Sequence, residues 1–171
     1  MTELIYLQDS YVKEFTAEVT GHDADQNGVL LDRTAFYPGG GGQPNDEGKL
    51  IAGDVEYIVS KVKRGNVHII DGDLPEIGTK VNGVVDWDRR HKLMRTHTAM
   101  HILCGVVWRD YQASVTGGNM EVLSGRMDFE FETFNQELIN EIEEKINQIC
   151  WCKRQNAAHM LLSTNGTCIS R

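Results

Sequence analysis

His97 and His101 stand four residues apart in a segment with helical apolar spacing, so both imidazoles project from one face and can approach a single metal ion. Leu93, His97, Met100, Cys104, Val107 and Tyr111 define that face in alternating steps of four and three, a pattern that points both rings into the protein. The same spacing fits two core histidines satisfied by hydrogen bonds. A zinc protease of the His-Glu-x-x-His type is excluded, because Thr98 occupies the position of the general base. Catalytic zinc takes three protein ligands and keeps a place for water, so further ligands must come from elsewhere. Cys104 is seven residues beyond His97. That is a rise of about 10 Å along a helix, too far for a shared ion, and it reads as a packed core thiol.

The second unusual feature is Tyr37-Pro38-Gly39-Gly40-Gly41-Gly42-Gln43-Pro44. Consecutive glycines carry an entropic cost unless their backbone conformation is needed, and bare backbone can approach a ligand closely. The run has neither the Gly-Lys-Ser/Thr ending of a P-loop nor the spacing of a dinucleotide fingerprint. A flexible turn and a ligand loop both fit it; Gln43, with two amide donors and one acceptor, favours a polar site. Asp23, Asp25, Asn27 and Gly28 imitate the start of a calcium loop, but Thr34 stands at the closing position and Val29-Leu30-Leu31 is strand-like, so the segment reads as a surface hairpin.

The elements that must position these groups are legible in the hydrophobic pattern. From Tyr11 to about Asp86, short strands alternate with turns. Phe15, Ala17 and Val19 alternate with polar neighbours, as do Val55, Tyr57 and Val59; Val67 to Ile70 and Val81 to Val85 form further strands. A helix begins after Asp86, its expected N-cap. Gly117-Gly118 is expected to break the chain, and Met127, Phe129 and Phe131 to form a single half-buried strand. Thr133 with Gln136 predicts the capping box of a second helix, whose buried stripe is Leu138, Ile142, Ile146 and Ile149. The fold class is α+β: a small antiparallel β-barrel over 1–86, then a helix-on-antiparallel-sheet domain over 87–171.

With 17 basic against 25 acidic residues, the net charge of -8 opposes non-specific attraction to a phosphate backbone. Any RNA contact needs a local patch, and Arg89, Arg90, His91, Lys92 and Arg95 provide the best one, although such a run also fits a solvated helix face. Cys104, Cys150, Cys152 and Cys168 do not resemble a disulfide framework. No leader or membrane-spanning apolar run is visible, so a cytoplasmic protein with no membrane and no DNA partner is expected.

Together, Leu31 to Gly48 (LDRTAFYPGGGGQPNDEG), Val85 to Leu103 (VDWDRRHKLMRTHTAMHIL) and the later SGRMDFEF resemble the AlaX family, homologous to the editing domain of alanyl-tRNA synthetase, in the medium-length class with an N-terminal barrel. The resemblance runs from about Leu4 to Ile149. It implies hydrolysis of the ester joining serine or glycine to alanine tRNA, and a zinc ion for which His97 and His101 supply two ligands. It implies further that Gln43 belongs to the editing pocket, with the Gly39, Gly40, Gly41 and Gly42 backbone and Arg95 beside the substrate, and that Thr34 senses the serine hydroxyl. The family's other zinc ligands form a Cys-x-x-x-His pair further along than this chain runs, and Cys168 is not expected to replace them. Cys150 to Arg171 is unlike the family, as a truncated chain would be, and the alternative reading is a tRNA-binding remnant without chemistry.

Overall fold

In the computed structural model, which describes the backbone of residues 2–133, 135–155, 161–162 and 168–169, the chain divides into the units Met1–Lys92 and Leu93–Arg171. The first unit runs β1 (Glu3–Leu4), α1 (Ile5–Gln8), β2 (Glu14–Asp23), β3 (Gly28–Leu31), β4 (Arg33–Thr34), β5 (Gly48–Ala52), β6 (Val55–Lys63), β7 (Val67–Ile70) and β8 (Lys80–Val85), and holds the first turn of α2 (Trp87–Tyr111). Six strands close an antiparallel barrel in the order β2-β3-β7-β6-β5-β8, while β1 pairs β4 in parallel. This is the α+β architecture expected from the pattern.

Alternation works as anticipated in β2, where Phe15, Ala17 and Val19 are buried between exposed neighbours. In β6 it fails halfway. Val55 is exposed, whereas Val59 and Val62, three residues apart, are both buried, because a bulge between Val59 and Lys61 shifts the register and turns the later side chains over. Asn27, at φ 49°, closes the hairpin from β2 to β3, and Asp23 accepts the Gln26 amide there, so the calcium-like segment is a turn.

Asp86 caps α2, its Oδ1 accepting the Arg89 amide at 3.0 Å. The division of the chain falls within α2 because the first turn belongs to the barrel. Trp87 packs on Tyr11 at 5.6 Å, Lys13 Nζ lies 4.7 Å from the Trp87 ring, and Arg90 is buried.

The second unit contains the rest of α2, then β9 (Val115–Glu121), β10 (Ser124–Phe129), α3 (Gln136–Gln155), β11 (Leu161–Leu162) and β12 (Cys168–Ile169). Gly117 and Gly118 do not break the chain: they lie inside β9, opposite Asp128 and Met127 of β10. A Cβ at Gly118 would stand 2.8 Å from Met127 Sδ, so the glycines admit large partners across a hairpin that apolar periodicity alone does not reveal. The cap of α3 is Asn135, whose Oδ1 accepts the Leu138 amide at 2.9 Å, in place of the expected Thr133. The stripe is as anticipated, with Ile142 buried and Leu138 and Ile146 packed against a cluster of Val107 and Ala113.

Among the described residues no helix is long and apolar enough to cross a membrane. Cys104 and Cys150 are free thiols, and burial pushes the Cys104 thiol up, as befits a packed group. The side chains of Cys152 and Cys168 lie outside the described residues.

Gly83 faces Phe15 across β2 and β8, and a Cβ there would meet the Phe15 ring at 2.4 Å. Gly83→Ala should therefore overpack the barrel and lower its stability by about 1–3 kcal/mol, read as a lower urea midpoint with an unchanged slope.

Candidate functional site

The glycine segment is an ordered hairpin. Gly40 and Gln43 exchange two backbone hydrogen bonds, at 2.9 and 3.0 Å, around Gly41 and Gly42 at φ 60° and 84°, the positive pair that a two-residue hairpin turn requires. Gly39 adds a steric reason, since a Cβ there would lie 3.0 Å from the Asn45 nitrogen. The hairpin leaves Gln43 half-buried, and among the described residues its side-chain amide has no hydrogen-bond partner.

Asp46 fastens the base of this hairpin. Its Oδ2 accepts the Tyr37 amide at 2.7 Å, and its own amide donates to the Tyr37 carbonyl at 2.9 Å. The carboxylate is buried against Arg90, whose Nε donates to both oxygens at 3.1 Å and whose Nη2 donates to Oδ2. The same guanidinium donates to the carbonyls of Ser10, Val12 and Ala35. Arg89 works beside it, pairing with Glu47 at 3.0 Å and donating to the Asn45 carbonyl.

This geometry corrects the expected basic patch. Arg90 is 5% exposed and has no access to a phosphate, Arg89 is engaged with the segment after the hairpin, and Lys92 pairs with Asp88. Two adjacent arginines in a sequence carry no sign of the acceptors they will meet, and here the acceptors lie 44 positions earlier. Arg95 is exposed and, among the described residues, takes part in no ion pair.

Thr34 is also placed differently from the expectation. The register of β4 turns it inward, where it is 0% exposed. Its Oγ1 lies 2.8 Å from His68 Nε2 and accepts the Phe36 amide at 3.1 Å. Its hydroxyl is closed to solvent in this arrangement. His68 sits on β7, fully buried, with Nδ1 3.2 Å from the Val29 carbonyl. Burial lowers its pKa to about 4, against smaller opposing contributions from the Val29 and Asn66 backbone. Asp46 and His68 were both missed from sequence; an Asp just after a glycine turn and a His among strand apolars are the only signals they leave.

In the second unit the imidazoles of His97 and His101 converge, Nε2 to Nε2 at 3.0 Å with ring centroids 4.7 Å apart. Two nitrogens bound tetrahedrally to one zinc would stand about 3.3 Å apart, so the pair fits two coordination positions. Both rings are exposed, contrary to the inward direction expected from the stripe. Leu93, Thr96, Ile102, Val106 and Val107 form the buried side of α2, so the packed face is rotated from the one that periodicity picked out. Partial desolvation, then the neighbouring His101, lowers the His97 pKa and favours the neutral, ligating form. Among the described residues no group of three His, Cys, Asp or Glu side chains is assembled for a metal, so the residues present fit half of a site. Gly125 of β10 approaches this helix closely: a Cβ there would lie 2.9 Å from Met100 Sδ, between the two histidines in sequence.

Two outcomes follow from these contacts. Asp46→Asn removes one charge of a buried pair and should destabilise the chain by about 3–5 kcal/mol in urea, with loss of protection at the Tyr37 amide. For His68, the unfolded chain takes up a proton below its ordinary pKa of 6.5 while the folded chain resists until about 4. Its contribution is complete above the upper value and is lost as pH falls through that window, by about 3 kcal/mol in all. His68→Gln should flatten this part of the urea stability profile relative to the unaltered chain.

Residues 4–89 match the family described as tRNA synthetases class II (A). The chain is 45% identical over 157 residues to the alanyl-tRNA editing protein AlaX-M of Saccharolobus solfataricus, a match covering 86% of this chain and 65% of the relative. It is 40% identical to AlaX-M of Methanosarcina barkeri over 87% of this chain and 65% of that protein, and so spans just under two thirds of the length of these relatives. An alanine-tRNA ligase from Ignicoccus hospitalis is 36% identical over 94% of this chain and 18% of the ligase. The chain therefore belongs to the class II (A) tRNA synthetase family, in the part that the AlaX alanyl-tRNA editing proteins share with alanine-tRNA ligases.

Proposed function

We propose that this protein hydrolyses the ester of alanine tRNA charged with the wrong amino acid, serine or glycine. The observation that carries the reading is the pair of imidazole nitrogens 3.0 Å apart, on a chain whose relatives are named alanyl-tRNA editing proteins. Water adds to the ester carbonyl, the bond to the ribose oxygen breaks, and that oxygen leaves with a proton, giving free amino acid and uncharged tRNA.

In this reading Gln43 offers its unpartnered amide to the aminoacyl group, and the hairpin of Gly39 to Gly42 lets backbone lie close to it. Arg95, exposed on α2, is the cation available to a phosphate. His97 and His101 would supply two of the ligands of a zinc ion. Bound zinc would polarise the carbonyl or lower the pKa of water. The proposed place of action is the cytoplasm.

Serine-charged alanine tRNA incubated with the protein and zinc should lose serine, and Gln43→Ala should slow this by about 100-fold, the scale of a lost preorganised donor. No release above the uncatalysed rate, with binding of charged tRNA retained, would replace the reading by that of a non-catalytic tRNA binder.

A further inference from the structure

We propose that Thr34 and His68 form a positioning pair that fixes the strand entering the glycine hairpin, and that Thr34 does not touch the substrate. This rests on the reading above only in that the hairpin is taken to present Gln43 to the ester.

The hydrogen-bond polarity can be worked out atom by atom. The Val29 carbonyl can only accept, so His68 Nδ1 at 3.2 Å from it must carry the ring proton. Neutral imidazole then has a lone pair on Nε2, and the Thr34 hydroxyl 2.8 Å away donates to it. With its proton committed, Thr34 Oγ1 accepts the Phe36 amide at 3.1 Å. Three bonds thus run in one direction, Phe36 to Thr34 to His68 to Val29, across β4, β7 and β3. The low pKa of the buried ring keeps it in the neutral form that this direction needs.

Phe36 is the last residue before Tyr37, whose amide and carbonyl are held by Asp46. The Thr34 bond therefore fixes the chain immediately upstream of the Asp46 clamp, and the turn of Gly40 to Gln43 follows three residues later. One lone pair remains on Thr34 Oγ1, but with no exposed surface it is closed to a ligand. The Phe36 ring packs edge-on against His68, with centroids 5.5 Å apart. Among the described residues no buried side-chain polar atom is left unpaired, so the pair is complete without a substrate.

The test compares hydrolysis of serine-charged and glycine-charged alanine tRNA by the unaltered protein, Thr34→Val, Thr34→Ser and the double variant Thr34→Val with His68→Leu. Thr34→Val should lower kcat for both esters by the same factor, about tenfold, leave KM within about twofold, and be no worse when combined with His68→Leu. Thr34→Ser should restore the rate. A change in the serine-to-glycine ratio would overturn the proposal, because it would mean that Thr34 meets the serine hydroxyl. Nitrogen NMR of the His68 ring and exchange of the Phe36 amide need no activity. The expected result is a proton on Nδ1 and selective loss of Phe36 protection in Thr34→Val; a proton on Nε2, or unchanged protection, would also overturn it. If the unaltered protein hydrolyses neither ester, the functional reading falls and these two measurements decide the pair alone.

Discussion

A single buried guanidinium organises the first unit. Arg90 meets the Asp46 carboxylate and the carbonyls of Ser10, Val12 and Ala35, so three separate stretches of chain are tied to the first turn of α2. Taking two charges out of water is unfavourable by several kcal/mol each, or about that, and only near-complete hydrogen bonding offsets it. That condition is met here, since the guanidinium fork is spent on matched acceptors and Asp46 also accepts from Tyr37. An ion pair of this kind adds little net stability over an apolar substitute, but it specifies geometry. What it specifies is the base of the glycine hairpin.

The barrel was legible in the sequence because strand alternation and turn residues are local signals. Phe15, Ala17 and Val19, the Asn27 turn and the Asp86 cap could each be read within a few residues. The stripe of α3 was legible for the same reason. What could not be read required knowledge of distant partners. Arg89 and Arg90 looked like a nucleic-acid patch until Asn45, Asp46 and Glu47 were seen to accept from them. Thr34 looked available to a ligand until β4 turned it towards His68.

The candidate site was legible in its residue types more than in their surroundings. The four-residue spacing of His97 and His101 gave their convergence correctly, since helix geometry alone dictates it. It gave their burial wrongly: Leu93 and Val107 of the expected stripe are buried, but the rest of the buried face runs through Thr96, Ile102 and Val106, away from the two rings. The β9–β10 hairpin was overlooked because Gly117 and Gly118 were read as punctuation, while across the hairpin their missing side chains make room for Met127 and Asp128.

The turn from Gly40 to Gln43 carries a handedness that the space around it does not demand. A Cβ added at Gly41 would meet nothing within 4 Å, so the obstacle to another residue there is torsional and not one of crowding. Asparagine, the coded residue most tolerant of that backbone region after glycine, is the natural replacement. The unfolded form of such a run samples more conformations than any other stretch of equal length, so ordering it is correspondingly unfavourable. Beyond its own two backbone hydrogen bonds, its base is held from outside, where Asp46 and Tyr37 bond to each other, so its order depends on contacts that lie beyond the glycines themselves.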